Sequence, residues 1–390
     1  MEYAVDEIMK YIEEEDAKFI RLAFRDAYGV QKNISVMPGE IRKAFDSGIP
    51  INPRRIAGFR DYPYASLFLK PDSSTLSVLP WRPDSGKVLR MYCDLYTPDG
   101  ERVEADTRAI LKKAAEKAAE AGISFRFGSE MEFYLFSKDE NGNPTRIPYD
   151  CAGYMDIAPA DRCENVRREI CLTIERMGLT PERSHHEQGP GQNEIDFHYA
   201  RPIKAADQTT TFKMVVNTIA DRYGLSADFS PMPLPDGPGN GYHINIYAED
   251  REGKDVAACA AAGILNRIRE ITLFLNPSEE SYARFGINTA PDRVDWSDEG
   301  ASELMYVEES FGRTRAELRS PDASCNPYLV YALLIYAGLE GIQNCMKLPE
   351  KAGEESLLLP GSRREAAKLA KTSDFVRAVV PAGIMNEYLH

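Results

Sequence analysis

Ser184-His185-His186-Glu187-Gln188-Gly189-Pro190-Gly191-Gln192-Asn193-Glu194-Ile195-Asp196-Phe197 places two carboxylates, Glu187 and Glu194, on either side of a Gly-Pro-Gly break. No helix passes through Gly189, Pro190 and Gly191, so the chain reverses there and the two acids converge across the reversal. Converging acids point to a divalent cation, whereas a solvated acidic loop is the plainer reading of this stretch taken alone. It does not stand alone, because Glu130, Glu132, His243 and Glu317 occur in similar settings elsewhere.

Working outward, residues 124–136 alternate as a strand. Phe127, Ser129, Met131, Phe133 and Leu135 take one face, and Glu130 and Glu132 share the other. Two acids beside bulky apolar side chains are costly to bury unpaired and call for a cation. A glycine-rich loop from Asp236 leads into a second alternating strand, on which His243 and Asn245 share a face. A lone strand histidine is more often a satisfied structural residue than a ligand. Arg315-Ala316-Glu317-Leu318-Arg319 reads as a short strand with its charges on one side.

The flanking pattern is mixed. Residues 1–15 read as a short amphipathic helix, 19–24 and 33–37 as a hairpin, and 38–48 as a helix stopping at Gly48. Strand-like segments at 67–69, 76–79 and 88–95 complete a small strand-rich domain, and a turn cluster at 96–100 closes it. Helices are expected from Asp106 to Ala121, over 164–177, over 207–223 and over 256–275. Residues 328–339 form the longest apolar run; it is too short to span a bilayer and follows Asn326-Pro327, a good helix start.

A chain of 390 residues holds two domains with real cores, here 1–97 and 98–390. Its net charge of -14 argues against nucleic acid as a partner, and no stretch argues for a membrane. The 7 cysteines include no C-x-x-C pair, which indicates a reducing, cytoplasmic setting without a disulfide framework. No secretory leader is legible at the N-terminus.

Several motifs, in order along nearly the whole chain, resemble those of the glutamine synthetase family, bacterial and archaeal type I in particular. They include Cys93-Asp94-Leu95-Tyr96, Gly128-Ser129-Glu130-Met131-Glu132-Phe133, His185-His186-Glu187 through Glu194, and the glycines before His243. Asn276-Pro277, Glu317-Leu318-Arg319-Ser320-Pro321-Asp322 and Leu359-Pro360-Gly361-Ser362 continue the series. The resemblance implies an α+β fold: an N-terminal β-grasp domain, then a catalytic domain with a curved antiparallel half-barrel flanked by helices. It implies an ATP-dependent carboxylate-amine ligase of nitrogen metabolism with two or more Mg2+ or Mn2+ sites. Glu132, Glu187 and Glu194 match the ligands of one metal, and Glu130, His243 and Glu317 those of a second. Arg284 matches the arginine that pairs with the glutamate α-carboxylate, and Arg319 the one near the transferring phosphoryl group. Gly239 falls among the substrate-binding residues, Tyr199 where an aromatic ring packs on adenine, and Asn245 and Arg315 at the nucleotide phosphates. The implied partners are ATP, glutamate or a related acid, ammonia or another amine, and further copies of the chain in a homo-oligomeric ring, a dodecamer by family resemblance.

The chain also departs from the family pattern. Asn52 stands where an aspartate of the β-grasp loop is thought to take a proton from ammonium, and an amide cannot act as that base. No acid occurs at Asn288-Thr289-Ala290, where the family places its flap glutamate, and Asp298-Glu299-Gly300-Ala301 replaces an arginine pair. Pro238-Gly239 replaces the usual Asn-Gly. Arg54 and Arg55 restore charge across a subunit contact, bind a different anionic substrate, or only decorate a loop. The losses cluster on the acceptor and phosphate side while all six metal ligands remain. The leading expectation is an ATP- and metal-dependent carboxylate-amine ligase acting through an acyl phosphate, with glutamate and ammonia as the default substrates and another amine or acid as a close second; the alternative is a catalytically idle homolog that binds nucleotide and metal.

Overall fold

The computed structural model describes residues 3–300, 302–310, 312–351 and 356–390. The chain forms two compact units, Met1–Lys113 with Val380–His390, and Ala114–Val379. Met1 and Glu2 of the expected first helix, and Ala301 of the segment in place of the arginine pair, lie outside the described residues.

In the first unit α1 (Val5–Glu14) buries Ile8 and Ile12, one turn apart. The expected hairpin is present as β1 (Phe19–Arg25) and β2 (Gln31–Val36), antiparallel with Ile20 opposite Val36. The helix expected over 38–48 is divided: a 3-10 turn, Pro38–Glu40, precedes α2 (Ile41–Asp46). It stops at Gly48, whose φ of +81° suits glycine. The strands β3 (Ile49–Ile51), β4 (Leu67–Pro71), β5 (Ser77–Val78) and β6 (Val88–Tyr96) follow. The sheet runs β2-β1-β6-β4-β3 with β5 also on β6, and β1 and β6 are its parallel pair. Between β3 and β4, Asn52 Oδ1 accepts the N–H of Arg54 at 3.0 Å and caps a short 3-10 turn, Pro53–Arg55, leaving both arginines exposed.

α3 (Thr107–Glu120) leads to the second unit, whose central strand is β7 (Ser124–Lys138). Then come β8 (Pro144–Pro148), α4 (Glu164–Arg176), β9 (Pro181–His186), β10 (Gln192–Ala200), α5 (Pro202–Arg222), β11 (Leu225–Asp228) and β12 (Tyr242–Glu249). After α6 (Ala257–Leu275) and α7 (Glu279–Arg284), the strands β13 (Trp296–Ser297), β14 (Met305–Ser310) and β15 (Arg313–Leu318) complete the sheet. Its order is β13-β14-β15-β12-β7-β10-β9, with β8 and β11 on the far end of β7. The long strands pair antiparallel, and β10 shifts register between Phe197 and Ala200, a bulge of the kind that bends a sheet into a half-barrel. α5 starts five residues before the expected position, because Pro202 at N1 has its φ preset for the helix and lacks only an N–H that would go unused there.

α5, α6 and α8 (Pro327–Gln343) pack against the apolar side of the strands. Phe127 of β7 stacks on Tyr331 of α8 with ring centroids 4.3 Å apart, and Met131 and Phe133 are fully buried. The faces are therefore those that the period of two predicts. α6 and α8 approach so closely that a Cβ on Gly263 would lie 2.2 Å from the carbonyl oxygen of Ala337. Asn326 starts α8 as expected, its Oδ1 accepting the N–H of Tyr328 at 3.1 Å. α9 (Arg363–Thr372) and α10 (Asp374–Val379) end the second unit. α11 (Ala382–Leu389) belongs to the first: Tyr388 donates to the carbonyl of Ala27 at 3.2 Å, and Glu387 Oε1 accepts the N–H of Gly58 at 2.9 Å. Among the described residues no helix is long and apolar enough to cross a membrane.

Candidate active site

β9 and β10 form the hairpin predicted across the Gly-Pro-Gly turn, with His186 opposite Asn193. Glu187 follows β9 and Glu194 lies in β10, and the ligand atoms of His185, Glu187 and Glu194 all fall within 4.8 Å of one another. His185 Nε2 is 2.9 Å from Glu187 Oε1, and Glu187 Oε2 accepts the N–H of Gln188 at 2.9 Å. These contacts outweigh burial and hold the Glu187 carboxyl below the ordinary glutamate range.

β7 lies between β10 and β12, so its acid-bearing face joins both strands. Glu130 pairs in register with His243 and Asp196 with Glu130, and Asn245 of β12 lies opposite Glu317 of β15. This adjacency gathers Glu130, His243 and Glu317 into a second buried group; His243 Nδ1 is 3.6 Å from a carboxylate oxygen of each acid. Against burial, His243, the Asn245 amide at 2.8 Å and Arg183 draw the Glu130 carboxyl down to about 2. Glu132 sits between the groups. Its Oε2 accepts from Gln192 Nε2 at 2.9 Å and from the N–H of Gly241 at 3.0 Å, while Oε1 is 3.9 Å from His243 Nε2. It lines one small cavity with Glu187 and His243 and lies opposite Glu194 across the β7–β10 pair.

Two of these acids lack compensation. Burial, then the charges of Asp196 and Glu132, pushes Glu194 well above the glutamate range, and burial with the neighbouring Glu187 raises Glu132 despite His243. Oxygen-rich donors with one imidazole, and buried carboxyls short of positive charge, fit Mg2+ or Mn2+. His185 and Asp196 join these groups without being among the residues that the sequence assigns to metal; each lies two residues from an assigned acid, so the period of two that pairs Glu130 with Glu132 also points to them. Asp196 forms its own group with Glu130 and Glu194, pairs with Arg183, and is pushed up by burial.

The arginines edge the same site. Arg319, just beyond β15, places Nη1 2.6 Å from Glu317 Oε1. Arg284, at the end of α7, is 3% exposed and donates to the carbonyls of Ser320 and Pro321. The Nε–H groups of both are buried without an acceptor among the described residues. Gly239 lies against Arg284, and a Cβ there would come within 2.7 Å of the arginine Cγ. Arg315 Nη1 is 3.3 Å from Asn245 Oδ1 and 3.5 Å from Glu130 Oε1, so both sequence-assigned phosphate contacts sit at the second acidic group. Tyr199 lines a cleft with Tyr247, ring centroids 4.6 Å apart, and flanks Gly128 together with Asn245. Residues 287–290 line the cavity that holds Glu132 and Glu187, and none of them is an acid.

Comparison with known proteins gives the same assignment. Residues 104–390 match the model of the glutamine synthetase catalytic domain, and residues 16–98 that of the glutamine synthetase beta-Grasp domain. A glutamine synthetase of Methanosarcina mazei is 38% identical over 98% of this chain and 92% of its own. One of Clostridium saccharobutylicum is 37% identical over 99% of this chain and 94% of its own. A solved GmaS/ADP complex shares the fold with a TM-score of 0.87 at 24% identity, over 97% of this chain and 93% of that one. With both domain models matched and such relatives along nearly its full length, the chain belongs to the glutamine synthetase family of carboxylate-amine ligases.

Proposed function

We propose that this protein activates glutamate, or a related acid, as an acyl phosphate at the expense of ATP and joins it to an amine other than ammonia. The observation that carries the reading is an asymmetry: a buried cage of acids and histidine faces residues 287–290, which offer no carboxylate. Glu132, Glu187 and Glu194 would hold one Mg2+ or Mn2+, and Glu130, His243 and Glu317 another. Bound there, the cations would supply positive charge against the phosphates during phosphoryl transfer. Arg284 orients the acid through its carboxylate, with Gly239 keeping the wall beside it thin. Arg319 offsets charge on the transferring phosphoryl group, Asn245 and Arg315 bind nucleotide phosphates, and Tyr199 stacks on adenine.

An ammonium ion needs a carboxylate to hold it and take its proton before it can attack. Asn52, Thr289 and Ala290 supply none, which supports an amine that sheds its proton elsewhere. Phosphate release from ATP with glutamate and a panel of amines is expected to be faster with a substituted amine than with ammonia. Asn52→Asp is expected to lower use of the preferred amine without raising that of ammonia. Equal wild-type turnover with ammonia and every other amine overturns the reading.

We further propose a cytoplasmic, ring-like homo-oligomer in which residues 52–59 of one copy complete the site of the next, with 1–97 and 98–390 as the functional division. Light scattering checks the ring.

The raised acids also predict how metal stabilisation depends on pH. Without metal, folded Glu132 and Glu194 keep protons that the unfolded chain loses near 4.5. The metal-free fold therefore loses stability as pH rises from about 4.5 through their raised values. A cation replaces those protons, so the rise in Tm at saturating Mg2+ is expected to be larger at pH 8 than at pH 5.5. Equal shifts at the two pH values contradict this.

A further inference from the structure

Beneath the Gly189–Gly191 turn lies a buried group that the reaction does not use. The ligand atoms of Asp150, Asp161, Cys163 and His186 are all within 4.8 Å of one another. Their hydrogen bonds run toward the turn. His186, with no exposed surface, faces Asp150 Oδ1 through Nε2 at 2.9 Å and the carbonyl oxygen of Glu187 through Nδ1 at 2.7 Å. The ring thus bridges the Asp150 carboxylate and the Glu187 carbonyl. The same Asp150 Oδ1 accepts the N–H of Gly191 at 2.9 Å. The carbonyl of Gly191 accepts from Asn193 Nδ2 at 2.8 Å, and Asn193 Oδ1 accepts from Arg167 at 2.6 Å. Arg167 in turn holds both oxygens of Asp161.

Both backbone groups of Gly191 and the carbonyl of Glu187 are thus fixed by buried side chains. They lie in the turn that joins Glu187 to Glu194, beside the backbone bond from the Glu187 N–H to the Gln192 carbonyl at 2.8 Å. We propose that Asp150 and His186, braced by Asn193, Arg167 and Asp161, are positioning residues that set the spacing of Glu187 and Glu194 and so the affinity of the cation site they share. This rests on the reading that these two acids hold a divalent cation. A cation within the Asp150–His186 group itself fits less well: Asp161 already accepts from Arg167 and from the N–H of Cys163 at 2.8 Å, and both His186 nitrogens already have partners in Asp150 and the Glu187 carbonyl. A carboxylate or carbonyl behind a cation site typically changes its affinity by about 10- to 100-fold when removed.

The test is Mn2+ binding to the full chain, read from the resonance of free Mn2+, with folding checked by near-ultraviolet circular dichroism. Glu187→Gln marks the site in question and Glu317→Gln the other. Asp150→Asn preserves volume and an acceptor for Gly191. It is expected to weaken the Glu187 site by about 10- to 100-fold and leave the Glu317 site within about threefold. Arg167→Lys, one bond further away, is expected to weaken the same site by a smaller factor and serves if Asp150→Asn does not fold. A lowered Tm with unchanged Mn2+ affinity in the folded variant overturns the proposal, because a brace of stability alone would do only that. No Mn2+ binding by the wild type fails the underlying metal reading instead. Tightly held zinc in the wild type that is lost in Cys163→Ala also overturns the proposal, since His186 would then be a ligand.

Discussion

Arg319→Ala is expected to lower ATP turnover by about 10³- to 10⁵-fold, the range spanned by arginines that stabilise a transferring phosphoryl group. Arg319 is held by Glu317 at 2.6 Å, yet its buried Nε–H has no acceptor. Glu317 thus orients the guanidinium at the edge of the acidic site. Because Glu317 also lies 3.6 Å from His243 and 3.7 Å from Arg315, its charge stays compensated in the variant. The Tm should consequently fall by little. Phosphate release at saturating ATP and a thermal melt measure the two quantities. A loss below about tenfold would move Arg319 out of the reaction and leave it as an ion-pair partner.

The second large effect is expected from Glu187→Gln, which keeps the side chain's shape and removes its charge. At a cation concentration 100 times the wild-type Kd, binding to a single site stabilises the native state by about 2.7 kcal/mol. If the variant binds about 100-fold more weakly, the same concentration stabilises it by only about 0.4 kcal/mol. The Mn2+-induced rise in Tm should therefore shrink to what the second site supplies, and turnover should drop by at least about 10²-fold. A full metal-induced shift in the variant would remove Glu187 from the ligand set.

The strands and the hairpin were legible because their signals are local. Alternation placed Glu130 and Glu132 opposite Phe127 and Met131, and the Gly-Pro-Gly break located the turn between β9 and β10. What could not be read is how distant strands associate. β12 lies between β7 and β15, which brings His243 to Glu130 and Glu317, and no spacing in the chain encodes that order. The motif resemblance supplied those three as a set, while local reasoning could treat His243 only as a strand histidine. The same limit applies to Glu132: strand pairing sets it opposite Glu194, and the folded glycine loop brings the Gly241 N–H to it at 3.0 Å, neither of which the spacing encodes. The split of the 38–48 helix and the early start of α5 are smaller misses, both set by proline at the first helical position.

The placement of α11 bears on how the chain is made. Met1–Lys113 emerges first, yet Ile384 and Tyr388, which complete that unit's core, lie beyond the whole of Ala114–Val379. At roughly 5–20 residues per second, synthesis of the intervening segment takes on the order of ten to fifty seconds. During that interval the nascent first unit exposes the apolar surface that Ile384 and Tyr388 later cover, so its core closes only after the second unit has been made.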